Sequence, residues 1–509
     1  MIPLVEHLPI LTILVPLFSA FATLVVGWFR KGSCIFFVWA ALSIQFVLSL
    51  FILHRVLTDG PIRYWVGGWM PPWGIELVVD TLNAYILLIL LFLCLLCAVY
   101  SKRNIEHELP HKRGSYYTLF LLLVAGLCGA TLTGDIFNMF VFIEIFSLSA
   151  YALIASRGKI ALKASFTYLI LGSIGTCFFV LGIGCLYSIT GTLNIHDLSL
   201  LLPPFYGNKV IKTAFVFFLI GLSIKMALFP FHTWLPDAHA FAPAEVSAIL
   251  SGIMIEVSTY AFLRLAFSVF TIQFLKVLPV FDILCAVAVA AILFGSTMAI
   301  SQVNLKRMLA YSSVANMGYI VLGVGLSLST KESPWGGLNP ALIHIANHAL
   351  MKGCLFLAAG AFIYKGELWE IPQLEGLARK MPYTCAAFLV AAISMIGIPP
   401  TVGFVSKLYL ILASIETGNY LFVAALLVSS LLNLVYFWRI IESMYMRQGE
   451  AGHDGHSSHG SGGEAPIGML IPILLLASLC IGMGIVWLAK APIPMLTQIN
   501  HLFGLGKGL

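Results

Sequence analysis

Charged residues are scarce in this sequence, and their scarcity excludes a water-soluble protein. Lys, Arg, Asp and Glu make up 10% of the 509 residues, whereas a soluble domain has about 25%. Hydrophobic residues make up 60%, which is more than the core of a domain can bury. Lipid must therefore solvate most of the surface, and we predict an all-α polytopic membrane protein with a single membrane domain over residues 1–509.

The sequence also lacks runs of basic residues and cysteine patterns typical of metal sites. The formal net charge is +6 and is spread over short loops, so we exclude nucleic acid as a partner. The ten cysteines fall mostly in apolar stretches, where a thiol behaves as a small hydrophobe. A dinucleotide fingerprint and a phosphate-binding loop are both missing. We therefore expect no cofactor and no metal, and we expect any electron transfer to occur in a partner.

Long apolar runs are abundant. A hydrocarbon core about 30 Å thick requires about 20 apolar residues per helix, and the sequence contains fourteen such runs between charged or turn-rich segments. The predicted spans are 8–29, 34–54, 80–100, 115–133, 136–156, 164–188, 209–230, 244–269, 277–301, 307–327, 339–364, 384–412, 419–443 and 466–489.

Two of these spans combine a lone lysine with proline. The seventh contains GLSIKMALFPFHTWLPDA and the twelfth contains ISMIGIPPTVGFVSKLYL. Because proline removes a backbone hydrogen bond, both should be broken helices. Paired interruptions of this kind indicate inverted repeats with an ion site between them. Aligning the two spans pairs helices 4–8, residues 115–269, with helices 9–13, residues 277–443.

The distribution of basic residues predicts the orientation. We leave out Lys225, Lys352 and Lys407, which lie deep in predicted spans. Of the remaining Lys and Arg residues, sixteen lie in or beside the loops after odd-numbered spans and nine lie on the other side. Because basic loops stay in the cytoplasm, we predict that the odd-loop face is cytoplasmic and that both termini are on the non-cytoplasmic side of a bacterial or archaeal inner membrane.

Several ionisable residues lie within the spans, where a charge costs about 2.5–3.5 kcal/mol and must face protein or water. They are Glu144, Lys225, Glu256, His344, His348, Lys352 and Lys407. The two histidines and Lys352 are spaced i, i+4 and i+8, so they share one helix face. A carboxylate that approaches a buried lysine changes how tightly the lysine holds its proton, and histidine relays protons near neutral pH.

This combination favours proton transport, although any single lysine could equally be a structural partner of a buried carboxylate. His232 and His239, near the break in the seventh span, either line a channel or belong to a loop. Asp135 is more typical of a helix cap than of a relay. The polar segment 447–465 predicts a flexible cytoplasmic loop. Its histidines, at 453, 456 and 459, could bind Zn or Ni, but no scaffold of other ligands favours that.

Motifs along most of the chain resemble the antiporter-like membrane subunit shared by Mrp-type cation/proton antiporters, complex I and membrane-bound hydrogenases. The matching stretches are YWVGGWMPPWGIELVVDTLNA, GDIFNMFVFIEIFSLSAYALI, KMALFPFHTWLPDAHAFAPAEVSAILSGI, LKRMLAYSSVANMGYI, HIANHALMKGCLFLAAG, LEGLARKMP and ISMIGIPPTVGFVSKLYLI. The stretch GDIFNMFVFIE resembles the D-type subunit of Mrp antiporters more than complex I, and relatives in hydrogenase-type complexes share much of it.

This resemblance implies fourteen helices, the inverted repeat and the positions of functional residues. It matches Glu144 and Lys225 to an ion pair, His344, His348 and Lys352 to a central relay, and Lys407 to the lysine of the broken twelfth helix. The chain departs from the pattern at Glu256, where the D-type subunit has lysine. Such a carboxylate would attract Lys225 and Lys352, whereas a lysine would repel them, so a conventional relay through this point is in question.

We therefore expect a proton-translocating subunit of a multi-subunit membrane complex that exchanges protons for a monovalent cation such as Na⁺. The residues assigned to translocation are Glu144, Lys225, Lys352 and Lys407, with His344, His348, Glu256 and His232 as relay. One alternative is the pump subunit of a complex I-like NADH:quinone oxidoreductase or a hydrogenase. Another is a degenerate structural subunit that no longer pumps.

Overall fold

The computed structural model describes residues 7–329, 336–447, 463–489 and 494–505, and these are almost entirely helical. The main helices are α1 (Leu8–Phe29), α2 (Cys34–Asp59), α3 (Thr81–Glu108), α4 (Arg113–Leu132), α5 (Ile136–Ala155), α6 (Ile160–Thr190), α7a (Lys209–Lys225), α7b (Leu235–Phe241), α8 (Ala244–Val269), α9 (Val280–Ile300), α10 (Leu305–Leu326), α11 (Asn339–Gly366), α12a (Pro382–Ile396), α12b (Val402–Glu416), α13 (Tyr420–Met446) and α14 (Ile467–Ala489).

Short helical segments and one hairpin connect them. The short helices are Lys31–Ser33, Val66–Gly68, Ile195–Leu201, Pro203–Phe205, Thr271–Val277, Ile371–Leu374, Leu377–Lys380 and Pro494–Leu502. The strands β1 (Ile62–Trp65) and β2 (Glu76–Val79) pair antiparallel between α2 and α3, with Ile62 opposite Val79.

The structure confirms the predicted all-α polytopic architecture. Among the described residues, twelve helices are long and apolar enough to cross a membrane, and each overlaps one of the predicted spans. The two spans without such a helix are 209–230 and 384–412, which are the two that contain the lysine and proline motifs. The total of fourteen remains a prediction. The predicted loop 447–465, apart from Arg447 and residues 463–465, lies outside the described residues, as do its three histidines.

Both proline-containing spans are interrupted. Helix α7a ends at Lys225 and α7b begins at Leu235, whereas α12a ends at Ile396 and α12b begins at Val402. Each break releases the last carbonyl groups of the first half-helix, because the residues that would donate to them are no longer helical. Half-helix ends of this kind provide acceptors for cations within a membrane protein.

Helices α8, α10 and α11 form the centre of the bundle and are almost wholly buried. The outer helices instead expose large apolar side chains, such as Trp28 and Phe29 on α1 and Phe166 on α6. Hydrocarbon solvates such side chains without cost, whereas charged side chains need a protein interior. The ionisable residues of α8 and α11 therefore lie on the helices that are best shielded.

Two matching bridges lie at equivalent places in the two halves of the bundle. Asp135, before α5, pairs with Asn194 after α6, and Asn304, before α10, pairs with Glu370 after α11. In both, the residue after each partner donates its backbone N–H to the carbonyl of the residue before the other partner. Asp135 also caps α5 by accepting from the Asn138 N–H at 2.8 Å, the role that its position favoured. The bridges agree with the predicted alignment of helices 4–8 and 9–13, and the inverted repeat itself remains a prediction.

A buried ion pair joins the start of α3 to the end of α8. The Arg264 guanidinium binds the Asp80 carboxylate and donates to the Tyr260 hydroxyl at 3.0 Å. Asp80 also accepts from the Leu82 and Asn83 N–H groups at 2.9 and 3.1 Å, so it caps α3 at the same time.

Removing one partner of this pair should destabilise the bundle strongly. Arg264→Ala leaves the Asp80 carboxylate buried and unpaired, at a cost of about 3–5 kcal/mol, and we expect a lower apparent melting temperature in detergent. The matched control is Arg55→Ala, because the Arg55–Asp59 pair is exposed and should contribute less than about 1 kcal/mol. Equal melting temperatures for the two variants would contradict the importance of the buried pair.

Candidate functional site

The structure brings Lys225 and Glu144 together at the end of α7a. Lys225 is buried, and its Nζ lies 3.8 Å from Glu144 Oε1. The same ammonium group donates to Ser147 Oγ at 2.8 Å and to the Tyr151 hydroxyl at 3.4 Å. Glu144, Ser147 and Tyr151 are spaced i, i+3 and i+7 along α5 and therefore share one face. One face of α5 thus supplies all three side-chain partners of Lys225.

The surroundings of Lys225 depend on close packing at two points. At Gly172 on α6 a Cβ atom would lie 2.0 Å from the Tyr151 hydroxyl oxygen, so only glycine leaves that hydroxyl its position. Trp234, at the start of α7b, donates its indole N–H to the Ile224 carbonyl at 2.9 Å. The same carbonyl also accepts from the Ala227 N–H at 3.1 Å, so the indole is its second donor and holds the start of α7b against the end of α7a.

Glu256 and His348 form a hydrogen-bonded pair in the buried centre. The distance from His348 Nδ1 to Glu256 Oε1 is 2.6 Å, and both residues are almost fully buried. Within the described part of the chain, Glu256 Oε2 and His348 Nε2 have no hydrogen-bond partner. A π-helical turn over Leu250–Met254 ends two residues before Glu256 on α8, and such turns often occur at functional positions.

Neither Lys225 nor Lys352 pairs directly with Glu256. Among the described residues, His348 is the only side chain that forms an ion pair or a hydrogen bond with this carboxylate. The predicted attraction between Glu256 and these two lysines therefore involves no direct contact. The physical reason is that each lysine is held by other oxygen acceptors on a different helix.

His344 links α11 to the helices on both sides of it. Its Nδ1 lies 2.9 Å from Ser406 Oγ on α12b, and its Nε2 lies 3.0 Å from Asn316 Oδ1 on α10. The rings of His344 and His348 are stacked with their centroids 6.4 Å apart. The i, i+4 spacing therefore places the two imidazoles side by side, as the sequence predicts.

Lys352 and Lys407 are both held by uncharged oxygen atoms. Lys352 donates to the Leu309 carbonyl at 2.7 Å and to Ser312 Oγ, both on α10. Lys407 donates to the Met395 and Ile396 carbonyls at 2.9 and 3.0 Å. These carbonyls are the free C-terminal end of α12a, which carries partial negative charge. The break in α12 therefore provides the binding place for the lysine that accompanies it in the sequence.

The structure places both His232 and His239 in the interior. His232 lies in the break between α7a and α7b, with its ring centroid 5.7 Å from that of Phe229 and 5.1 Å from that of Phe294. His239 lies on α7b and stacks on Phe356 at 5.2 Å. Neither is a surface loop residue, because the two are 5% and 0% exposed.

Sequence reasoning missed several buried ionisable residues, including Glu245 and Lys306. Both lie within a few residues of a predicted span boundary, where a charge normally reaches the membrane surface. Glu245 is 0% and Lys306 is 1% exposed. The hydroxyl and amide partners, such as Ser312 and Asn316, were also missed, since these residues in a helix usually bond to their own backbone. The one signal that could have identified Glu245 is its position inside the predicted span 244–269, in the first turn of the helix.

Residues 133–433, which contain every predicted site residue, match the family model described as NADH:quinone oxidoreductase/Mrp antiporter, TM. The chain is 45% identical to the N-type subunit of the NADH-quinone oxidoreductase of Desulforudis audaxviator, over 94% of this chain and 95% of that relative. It is 31% identical to the D-type subunit of the Na⁺/H⁺ antiporter of Bacillus subtilis, over 94% of each chain.

Two solved membrane complexes contain a chain of the same shape. One is the archaeal membrane-bound sulfane sulfur reductase, with a TM-score of 0.85, 31% identity and coverage of 98% of this chain and 97% of that one. The other is the Mrp complex of a Dietzia species, with a TM-score of 0.84, 26% identity and coverage of 99% and 97%. By its family match and its close relatives, the chain belongs to the NADH:quinone oxidoreductase/Mrp antiporter family of multi-pass membrane subunits.

Proposed function

We propose that this chain is the proton-translocating subunit of a multi-subunit membrane complex and that it exchanges protons for a monovalent cation, Na⁺ in the first instance. The observation that carries the proposal is the Glu256–His348 hydrogen bond, which lies in the buried centre one helical turn from Lys352 on α11. The relatives named as D-type subunits of Na⁺/H⁺ antiporters support the choice of cation.

In this mechanism Glu144 controls Lys225. The carboxylate is 3.8 Å from the ammonium group, which is too long for a hydrogen bond, while Ser147 holds the ammonium group at 2.8 Å. A small movement of Glu144 changes its electrostatic attraction for Lys225, and with it the tendency of the lysine to release a proton. Glu144 is 29% exposed on its side chain, so a neighbouring subunit that covers this side of the bundle would influence the pair.

The central residues then pass the proton along α11. Glu256 and His348 share a hydrogen bond across which one proton can move. His344, stacked on His348, extends this path towards Ser406 on α12b. We call Glu256, His348 and His344 the central row. Lys352 and Lys407 accept and release protons at the two sides of this row. His232, buried in the α7 break, contributes a further relay group. We place the chain in an inner membrane with both termini on the non-cytoplasmic side, as the loop charges predict.

A second candidate function is that of a proton pump driven by a redox partner. The 45% identity to a relative named as the N-type subunit of an NADH-quinone oxidoreductase favours it. The same residues would carry the protons in such a pump, because the source of energy lies outside this chain. The structural-subunit alternative requires that the row carries no protons.

Reconstitution of the purified complex in liposomes with an enclosed pH-sensitive dye separates these functions. An inward Na⁺ gradient without any reductant should drive protons outward if the chain is part of an antiporter. Proton movement that requires a reductant supports the redox-driven pump. No proton movement under either condition would contradict both.

We expect Glu144→Ala to abolish proton exchange while the protein remains in the membrane, because it removes the carboxylate that acts on Lys225. The dye assay in vesicles measures the rate. The control is Glu442→Ala, since Glu442 pairs with Arg447 at the surface end of α13 and lies outside the row. Exchange at the wild-type rate in Glu144→Ala would remove this residue from the mechanism.

Lys352→Arg and Lys407→Arg should each lose most of their transport activity. Arginine keeps a positive charge but does not release its proton in proteins, so it preserves electrostatics without a relay. Lys365→Arg, at the end of the same helix as Lys352, is the matched control. If either arginine variant is fully active, that lysine is an electrostatic support only.

Glu256→Gln should reduce transport by at least about tenfold, because an amide cannot exchange a proton with His348. Glu256→Lys, which restores the residue implied by the family resemblance, should retain part of the activity. Undiminished transport in the glutamine variant at every pH would return Glu256 to a structural role.

A further inference from the structure

Glu245 is a buried carboxylate that the proposed row of residues does not use. It lies in the first turn of α8 and is 0% exposed. One oxygen accepts from the Tyr116 hydroxyl at 2.9 Å and the other from the Asn104 amide at 2.8 Å. Both donors are neutral, and within the described residues no cation lies within 4.0 Å of it. A carboxylate kept out of water with only neutral donors is energetically costly unless it has a use.

One face of α3 presents further polar atoms to this carboxylate. Tyr100, Asn104 and Glu108 are spaced i, i+4 and i+8 and therefore share a face. Tyr100 OH, Asn104 Oδ1 and Glu108 Oε2 are all buried without a hydrogen-bond partner among the described residues. Tyr100 and Glu108 interact electrostatically with Glu245. Buried polar atoms that lack protein partners are normally satisfied by ordered water, so this face indicates a hydrated path.

The outer end of this face reaches solvent at an ion pair. Glu108 and Arg157 are 2.9 Å apart, with 13% and 17% of their side chains exposed. Arg157 and Lys306 both donate to the Ala242 carbonyl, at 3.2 and 2.5 Å. All of these residues lie at the odd-loop ends of their helices. The charge of Lys306 acts on Glu245 and helps to balance it when it is ionised.

His239 connects the inner end of the cluster to the central row. It is 0% exposed, and neither of its ring nitrogens has a hydrogen-bond partner in the described part of the chain. Lys306 and Lys352 both act on it electrostatically, and His239 in turn acts on His348. The Ser247 hydroxyl, two residues after Glu245 on α8, donates to the His239 carbonyl at 2.9 Å, which holds His239 against the start of α8. His239 is therefore the candidate link between the Glu245 cluster and the Glu256–His348 pair.

We propose that Glu245 is a proton-carrying carboxylate for access from the odd-loop face, loaded through the α3 face that contains Tyr100 and Asn104, and that His239 hands the proton on to Lys352 and His348. In each cycle a proton from water binds the Glu245 carboxylate, then moves to a ring nitrogen of His239, and Glu245 returns to its anionic form beside Lys306. This inference rests on the proposed proton-translocating function.

Glu245→Gln tests the inference with little structural disturbance. The glutamine carbonyl can still accept one hydrogen bond, and its amide can donate to Asn104 Oδ1, which lacks a partner in the native arrangement. The complete complex is reconstituted with the pH-sensitive dye, and proton movement is measured after a pH step on each face. We expect transfer from the odd-loop face to fall by at least about tenfold, as for loss of a proton-transfer group.

The control variant is Glu106→Gln, which alters a more exposed glutamate at the same end of α3 and should leave the rate unchanged. Lys352→Ala reports on the proposed function itself. If Glu245→Gln transports at the wild-type rate while Lys352→Ala is inactive, the access role is overturned and the proposed function stands. If both variants transport normally, the proposed function fails as well.

Glu245→Asp distinguishes a proton carrier from a structural hydrogen-bond acceptor. It also tests the inference if the glutamine variant does not assemble. An aspartate keeps the exchangeable proton, so we expect transport with a shifted pH dependence, since the distances to Tyr116, Asn104 and Lys306 change. A pH profile identical to that of the wild type would overturn the inference. Failure of both variants to assemble would assign Glu245 to structure and overturn it too.

Discussion

The cost of placing a charge in hydrocarbon is the constraint on which this structure depends. Each buried lysine must be solvated by protein, and the chain does this with neutral oxygen atoms rather than with tight ion pairs. Lys352 has a carbonyl and a hydroxyl, and Lys407 has the end carbonyls of a half-helix. A close buried carboxylate would fix the positive charge. Neutral acceptors stabilise it less strongly, so the proton remains removable and a neighbouring charge can decide where it goes.

The two helix breaks accommodate buried lysines in different ways. In α12 the free carbonyls of α12a bind Lys407 directly. In α7 the Ile224 carbonyl accepts from the Trp234 indole and from the Ala227 N–H, and Lys225 donates to side chains of α5 instead. One helix break therefore holds its lysine by backbone carbonyls, whereas the other leaves its lysine to side-chain partners. The second arrangement leaves Lys225 sensitive to the position of Glu144.

The fold is predictable because it depends on additive properties of short segments. Span length follows from local hydropathy, and both interruptions follow from prolines. The side-chain partners are not predictable, since they depend on which helices meet: nothing in the sequence pairs Glu256 with His348, 92 residues away. Local hydropathy places Lys306 in a loop because it precedes the predicted span by one residue. At a helix end, burial depends on the neighbouring helices.

The carboxylate at position 256 changes the net charge that the centre of the bundle can hold. A lysine there would add a second cation beside Lys352 and His348, and charging both would be opposed by repulsion. A glutamate bonded to histidine instead forms a pair that is neutral overall with one shared proton, whichever residue holds it. Moving that proton across 2.6 Å changes the local dipole but not the net charge, so the pair can respond to Lys352 without a large desolvation cost. With Glu245 nearer the odd-loop face, this chain has two buried acids along α8. His348 bonds to Glu256, and the His239 carbonyl is bonded by Ser247 near Glu245.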